Sequence, residues 1–183
     1  MLFRSGVIDE TTSARGAESL KATSKNPPIP VIDIFAGPGG LGEGFSRTLQ
    51  DNGQKAFKIA LSIEKEAFAH RTLRLRSFFR QFELNDVPDD YYRVMRGEIT
   101  ENFLFDLYPE ETAAAEEEAW HAELGTGNET EVRKRIGGAL GDVKDWVLIG
   151  GPPCQAYSLA GRSRNKGIKG YVPEKDEKQY LYR

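Results

Sequence analysis

The stretch from Ile29 to Gly40 most limits what this chain can fold into. A short apolar run, Ile29 to Phe35, stops abruptly in Gly37-Pro38-Gly39-Gly40. A run of that length closed by a Gly/Pro cluster reads as a buried strand followed by a tight turn. Leu41, Phe45, Thr48 and Leu49 then recur at helical spacing, and Asn52-Gly53 ends that helix. Phe57 to Ile63 is a second apolar run. Ala67 to Phe82 predicts a helix that is basic on one side, with Arg71, Arg74, Arg76 and Arg80. Tyr91 to Ile99 is the candidate third strand. Strands and helices in alternation predict an α/β domain with a largely parallel sheet.

The rest of the chain departs from that rhythm. Residues 1–29 are polar, lack periodicity and end in Asn26-Pro27-Pro28, so they read as a flexible tail before a domain spanning 30–183. Asp9, Glu10 and Glu18 argue against a transit peptide there. Residues 101–141 read as a helical insertion with a solvated, charged surface. Within it, Pro109 to Leu124 is acidic and Ala-rich, a helix ending at Gly125, and Val132, Ile136 and Leu140 mark one face of another. Trp146 to Ile149 predicts a fourth strand, which runs into Gly150-Gly151-Pro152-Pro153-Cys154-Gln155.

Composition excludes some functions. No apolar run approaches the roughly 20 residues of a membrane helix. The start, MLFRSGVIDE, lacks a secretory apolar centre, and the expected location is cytoplasmic. One cysteine and two histidines leave no internal disulfide and argue against a metal site. With 25 basic and 28 acidic residues the net charge is −3, so contact with nucleic acid must come from a local patch.

Three segments carry chemistry. A Gly-rich turn between strand and helix lets a ligand approach the backbone and meet the helix N-terminus. Gly37, Gly39 and Gly42 satisfy G-x-G-x-x-G, a weak dinucleotide signature, and no Lys-Ser/Thr follows to make a P-loop. Glu64, at the end of the second strand, is placed to accept both ribose hydroxyls of a nucleoside, which leaves NAD and S-adenosylmethionine both open. Cys154 sits on a turn stiffened by Pro152 and Pro153 at the carboxyl end of a strand, where open α/β sheets bind ligands. A cysteine that is merely a buried small hydrophobe needs no such housing.

The string DIFAGPGGLGEGF resembles the first signature of DNA (cytosine-5) methyltransferases, and GGPPCQAYS closely resembles their catalytic Pro-Cys signature. Glu64 falls where the family's ribose-binding acid lies, and Gly97-Glu98-Ile99 resembles its Gly-Asp-Ile segment with Glu for Asp. The likeness covers 30–100 and 145–183. It implies a Rossmann-like, S-adenosylmethionine-dependent methyltransferase domain, here truncated, with strand one central, strands two and three on one side and strand four on the other. Phe35 would pack near the cofactor; Gly37, Gly39, Gly40 and Pro152 would border it. Glu64 would hold the ribose, and Glu98 and Ile99 would meet the adenine. Cys154 would attack carbon 6 of a flipped-out cytosine so that carbon 5 takes the methyl group. Gln155 and Ser158, with Arg162 and Arg164 of the basic loop Gly161 to Gly170, would contact DNA. Lys65 departs from the family, where an aromatic or apolar residue commonly follows the ribose-binding acid.

The family's Glu-Asn-Val segment, its later Arg segment and its recognition domain are not in this sequence. The resemblance therefore implies an incomplete enzyme, inactive alone, with DNA and a second chain carrying the missing motifs as partners. Two other readings stay open: a cofactor- or DNA-binding remnant without activity, and an NAD-dependent oxidoreductase resting on the glycine pattern.

Overall fold

A computed structural model describes residues 27–125 and 127–152. Four strands form one sheet in the order β3-β2-β1-β4, every pair parallel: β1 Ile29–Ile34, β2 Phe57–Glu64, β3 Ala119–His121 and β4 Val147–Gly150. The helices are α1 Gly40–Ser46, α2 Ala67–Arg80, α3 Asp89–Met95, α4 Glu101–Leu107, α5 Pro109–Glu118 and α6 Glu129–Leu140. This is the expected α/β, Rossmann-like architecture. Strand one is central, and the strand order reverses between β1 and β4, which creates a crevice at their carboxyl ends.

The two faces of the sheet differ. Ile32, Leu61 and Ile63 are buried on one face, packed with Val132, Ile136 and Leu140 of α6. Asp33 and Ser62, cross-strand neighbours, lie on the other face beside α1 and are fully buried. Alternation puts Glu64 on that face too. A β-bulge between Val31 and Ile32 leaves Ala60 as the odd residue of β2, because Val31 pairs with Ile59 and Ile32 with Leu61. Beyond the sheet, Phe78 of α2 anchors a second cluster with Leu75, Leu104, Phe105 and Ala115. Its ring meets Phe82, Phe105 and Tyr108 edge-on, the favoured aromatic geometry.

Two sequence expectations need correction. Tyr91 to Ile99 holds no strand; α3 occupies most of it. Pro88 caps that helix and Asp89 and Asp90 fill its first turn, a helix-start chemistry that outweighs the β propensity of Tyr91, Tyr92 and Val94. The third strand is instead inside the stretch 101–141. The Ala- and Glu-rich helix that was expected to run to Leu124 ends at Glu118, and Ala119–His121 pairs with Ser62–Glu64. The stretch is largely helical, as expected, but it also supplies an essential part of the sheet.

Candidate cofactor site

The turn after β1 is held in an uncommon backbone conformation. Phe35, Gly37 and Gly39 have φ of 54°, 56° and 86°. Phe35 is the one non-glycine residue with positive φ among the described residues, and such strain clusters at functional sites. The Ala36 N–H donates to the Ile63 carbonyl at 3.0 Å and the Gly39 N–H to the Ala36 carbonyl at 3.0 Å. A Cβ on Gly37 or Gly40 would meet nothing within 4 Å, so the turn is open on that side. Gly42 has a different job: a Cβ there would stand 3.2 Å from Asp33 Oδ2 and 3.6 Å from Ile59 Cδ1, so its absence lets α1 lie against the sheet.

Glu64 joins this turn to β2. Its Oε2 accepts from the Gly37 N–H at 2.7 Å, and its Oε1 accepts from the Glu66 N–H at 2.7 Å. The carboxylate is 9% exposed and fixed in orientation. Across the crevice, a Cβ on Gly150 would stand 2.3 Å from the Ile34 carbonyl oxygen, so only glycine lets β4 run this close to β1. Gly151 passes the Phe35 carbonyl, where its Cβ would be 3.8 Å away, and half-buried Pro152 follows. Phe35, the glycine turn, Glu64 and the start of the Pro-Pro segment therefore share one end of the sheet.

Glu98 and Ile99 are placed otherwise than expected. They follow α3 and not a strand, with Gly97 (φ 73°) just past the helix end, and Glu98 is paired with Arg96 and Arg93. Those guanidinium groups hold its carboxyl below the usual range. The residues that do follow β3 are Ala122 and Glu123. With Lys65, Glu66, Ala67 and His121 they line a recess of about 560 Å³ beside Glu64. Three contacts frame it: the Ala122 N–H to the Glu64 carbonyl at 3.0 Å, His121 Nε2 with the Lys65 carbonyl at 3.0 Å, and Lys65 Nζ to Glu123 Oε1 at 2.6 Å. His70 stacks on His121 with ring centroids 4.7 Å apart. Sequence reasoning missed this recess because a three-residue strand has too little length to show a period. The Lys65 departure was its one available signal.

Asp33 is the other feature that went unnoticed. Among the described residues neither carboxylate oxygen has a hydrogen-bond partner, and burial pushes the group from 3.8 up to about 6. The Gly42 amide, directed at it, and the Arg80 charge pull the other way, while Glu64 adds to the rise. Cys154, Gln155, Ser158, Arg162 and Arg164 lie outside the described residues. Among the described residues there is no cluster of metal-ligating side chains, and no helix is long and apolar enough to cross a membrane.

Fold and turn together define a Rossmann-like α/β domain, consistent with a methyltransferase fold. The chain is similar to the Type II methyltransferase M.Bpa9945I of Bacillus paralicheniformis (strain ATCC 9945a / NCIMB 11709 / CD-2), with 34% identity over 169 residues. The match takes in 83% of this chain and 36% of the relative, so the chain spans about a third of that protein's length. No family model matches the chain, and no solved structure matches it.

Proposed function

We propose that this chain is the cofactor-binding and nucleophile-bearing part of an S-adenosylmethionine-dependent DNA (cytosine-5) methyltransferase. The observation that carries the cofactor half is the fixed Glu64 carboxylate beside the open glycine turn. A carboxylate has about four acceptor positions. Backbone N–H groups take one on each oxygen, which leaves one on each for the two ribose hydroxyls. The open side of Gly37 and Gly40 suits close approach of the ligand, and Phe35 borders it. The recess between Lys65 and Glu123 takes the adenine, with Ala122 and Glu123 replacing Glu98 and Ile99 in that role. S-adenosylmethionine supplies the methyl group when bound.

The transfer half rests on the likeness of GGPPCQAYS to the family's catalytic signature and on the similarity to a Type II methyltransferase. In this reading the Cys154 thiolate bonds to carbon 6 of a flipped cytosine and leaves carbon 5 nucleophilic enough to take the methyl group. The carbon-5 proton then leaves, the sulfur–carbon bond breaks, and the thiolate is regenerated. Pro152 borders the thiol's turn, and Gln155, Ser158, Arg162 and Arg164 hold the DNA.

Calorimetry with S-adenosylmethionine and NAD side by side tests the cofactor half. We expect binding of the first alone, weakened by about 1.5–3 kcal/mol in Glu64→Ala, the worth of a hydrogen bond to a charged group. Equal affinity of wild type and variant would remove Glu64 from the site, and binding of NAD would replace the reading. In the complete enzyme, Cys154→Ser is expected to abolish transfer of labelled methyl to cytosine in DNA; surviving transfer would sink the covalent step.

A further inference from the structure

Helix α2 carries four arginines, and three of them end on carboxylates. Arg71 meets Glu101 at 2.8 Å, Arg74 meets Glu116, and Arg80 meets Glu118 and, at 3.2 Å, Glu43. Arg76 differs. Its Nη1 donates to the backbone carbonyl of Pro38 at 3.0 Å, across 38 residues of sequence, and it has no ion-pair partner among the described residues. Pro38 lacks an N–H, so its carbonyl is the one backbone group by which that residue can be held. Helix and turn also touch directly: a Cβ on Gly39 would stand 2.8 Å from Leu73 Cδ1 and 3.8 Å from Arg76 Cδ.

We infer that Arg76 is a positioning residue, which fixes the Gly37–Gly40 turn in its ligand-receiving conformation by holding the Pro38 carbonyl against α2. The turn is then gripped from two sides. Glu64 takes the Gly37 amide from β2, and Arg76 takes the Pro38 carbonyl from α2. The two grips are not equivalent. Glu64 also faces the bound ligand through its remaining lone pairs, so it serves the turn and the ligand at once. Arg76 reaches the turn from the side of α2 and needs no lone pair of Glu64, so its grip does not depend on what Glu64 binds. A charged planar donor suits this task, because one guanidinium nitrogen can stay on the carbonyl while the others remain solvated. Three positive φ values within five residues make the turn costly to keep without such a brace.

The identity of the ligand rests on the function proposed above, but the brace itself can be read without any ligand. Arg76→Met keeps the stem and removes the donors; Arg76→Lys keeps a charged donor. In the full chain, hydrogen–deuterium exchange is measured at the Gly37 and Gly39 amides and, as a control, within β2. Arg76→Met should speed exchange at the turn about ten-fold while leaving β2 unchanged, and should weaken S-adenosylmethionine binding by a similar factor, the worth of about one charge-assisted hydrogen bond. Arg76→Lys should recover a substantial part of both. Unchanged exchange at the turn in Arg76→Met, acceleration spread equally through β2, or no rescue by lysine would each overturn the assignment. If the exchange results hold but no variant, wild type included, binds the cofactor, the proposed function falls and the brace stands.

Discussion

The two faces of the sheet are built from the same two central strands and follow opposite rules. Toward α6 the strands present Ile32, Leu61 and Ile63, a dry apolar surface. Toward α1 and α2 they present Asp33 and Ser62, both fully buried with side-chain oxygens that have no hydrogen-bond partner among the described residues, and then Glu64 at the rim. Burying polar groups without hydrogen bonds costs free energy that an apolar residue would not. One face thus supplies cohesion. The other gives up some of it to bring fixed charge to the edge where a ligand is received, a trade often met where stability and site chemistry compete.

Substitutions on each face sharpen that contrast. The largest effect is expected on the apolar side: Leu61→Ala should cost about 2–5 kcal/mol of unfolding free energy, by transfer and cavity terms together. Cofactor affinity of the molecules that remain folded should not change. A shift in that affinity comparable to the stability loss would show that the faces are not separable.

Asp33→Asn should act in the opposite direction. The folded-state carboxyl titrates near 6 against 3.8 as a free group, so the fold favours its protonated form. Its stabilising contribution is full below about pH 4 and is lost as pH rises through 6. Asparagine stays neutral throughout. The variant should therefore be more stable than wild type at pH 8, by up to about 3 kcal/mol at 1.36 kcal/mol per pH unit, with the advantage fading toward pH 4. Urea melts at pH 4, 6 and 8 read this directly. A variant less stable than wild type at pH 8 would mean that the charge of Asp33 is welcome where it sits.

The smallest effect is expected at the rim. Lys65 and Glu123 are 61% and 69% exposed, so a double-mutant cycle on their pair should give about 0.2–1 kcal/mol, decreasing with salt. A larger, salt-insensitive coupling would make the recess a structural part of the polar face instead of its edge.

Much of the first half was legible because its signals are local and redundant. The strand β1, the glycine turn, α1 and β2 announce themselves by apolar runs and by breakers, and the structure keeps them within a few residues. Glu64 was singled out from its place at the end of a strand, and the structure puts it there, beside the glycine turn. What failed depended on distant partners. Ala119–His121 is a strand only because Ser62–Glu64 lies beside it, while its own residues continue an Ala- and Glu-rich helix. Glu98 was assigned to the adenine from the likeness of Gly97-Glu98-Ile99 to a Gly-Asp-Ile segment, and the structure puts those residues at the close of α3, where Gly97 has a φ of 73°. The role of Arg76 has no sequence signature at all. Four arginines at helical spacing look alike until their partners are known.

Ala60 gives the odd residue of β2 an importance unlike that of any side chain in the site. Residues alternate between faces along a strand, so a count of one decides what each later residue meets. Ile59 sits on the face of α1, and without the bulge Glu64, five positions on, would land on the opposite face among the apolar partners of α6. One supernumerary backbone unit thus acts as a phase shift. It lets a single strand be written as apolar filler at its start and as an acidic ligand holder at its end, with both directed to the same side. Loss of Ala60 would return β2 to plain alternation, with Ile59 and Glu64 four positions apart and still on one side, whereas one residue added between Leu61 and Ser62 would leave the composition of β2 almost intact while turning its carboxylate away from the glycine turn.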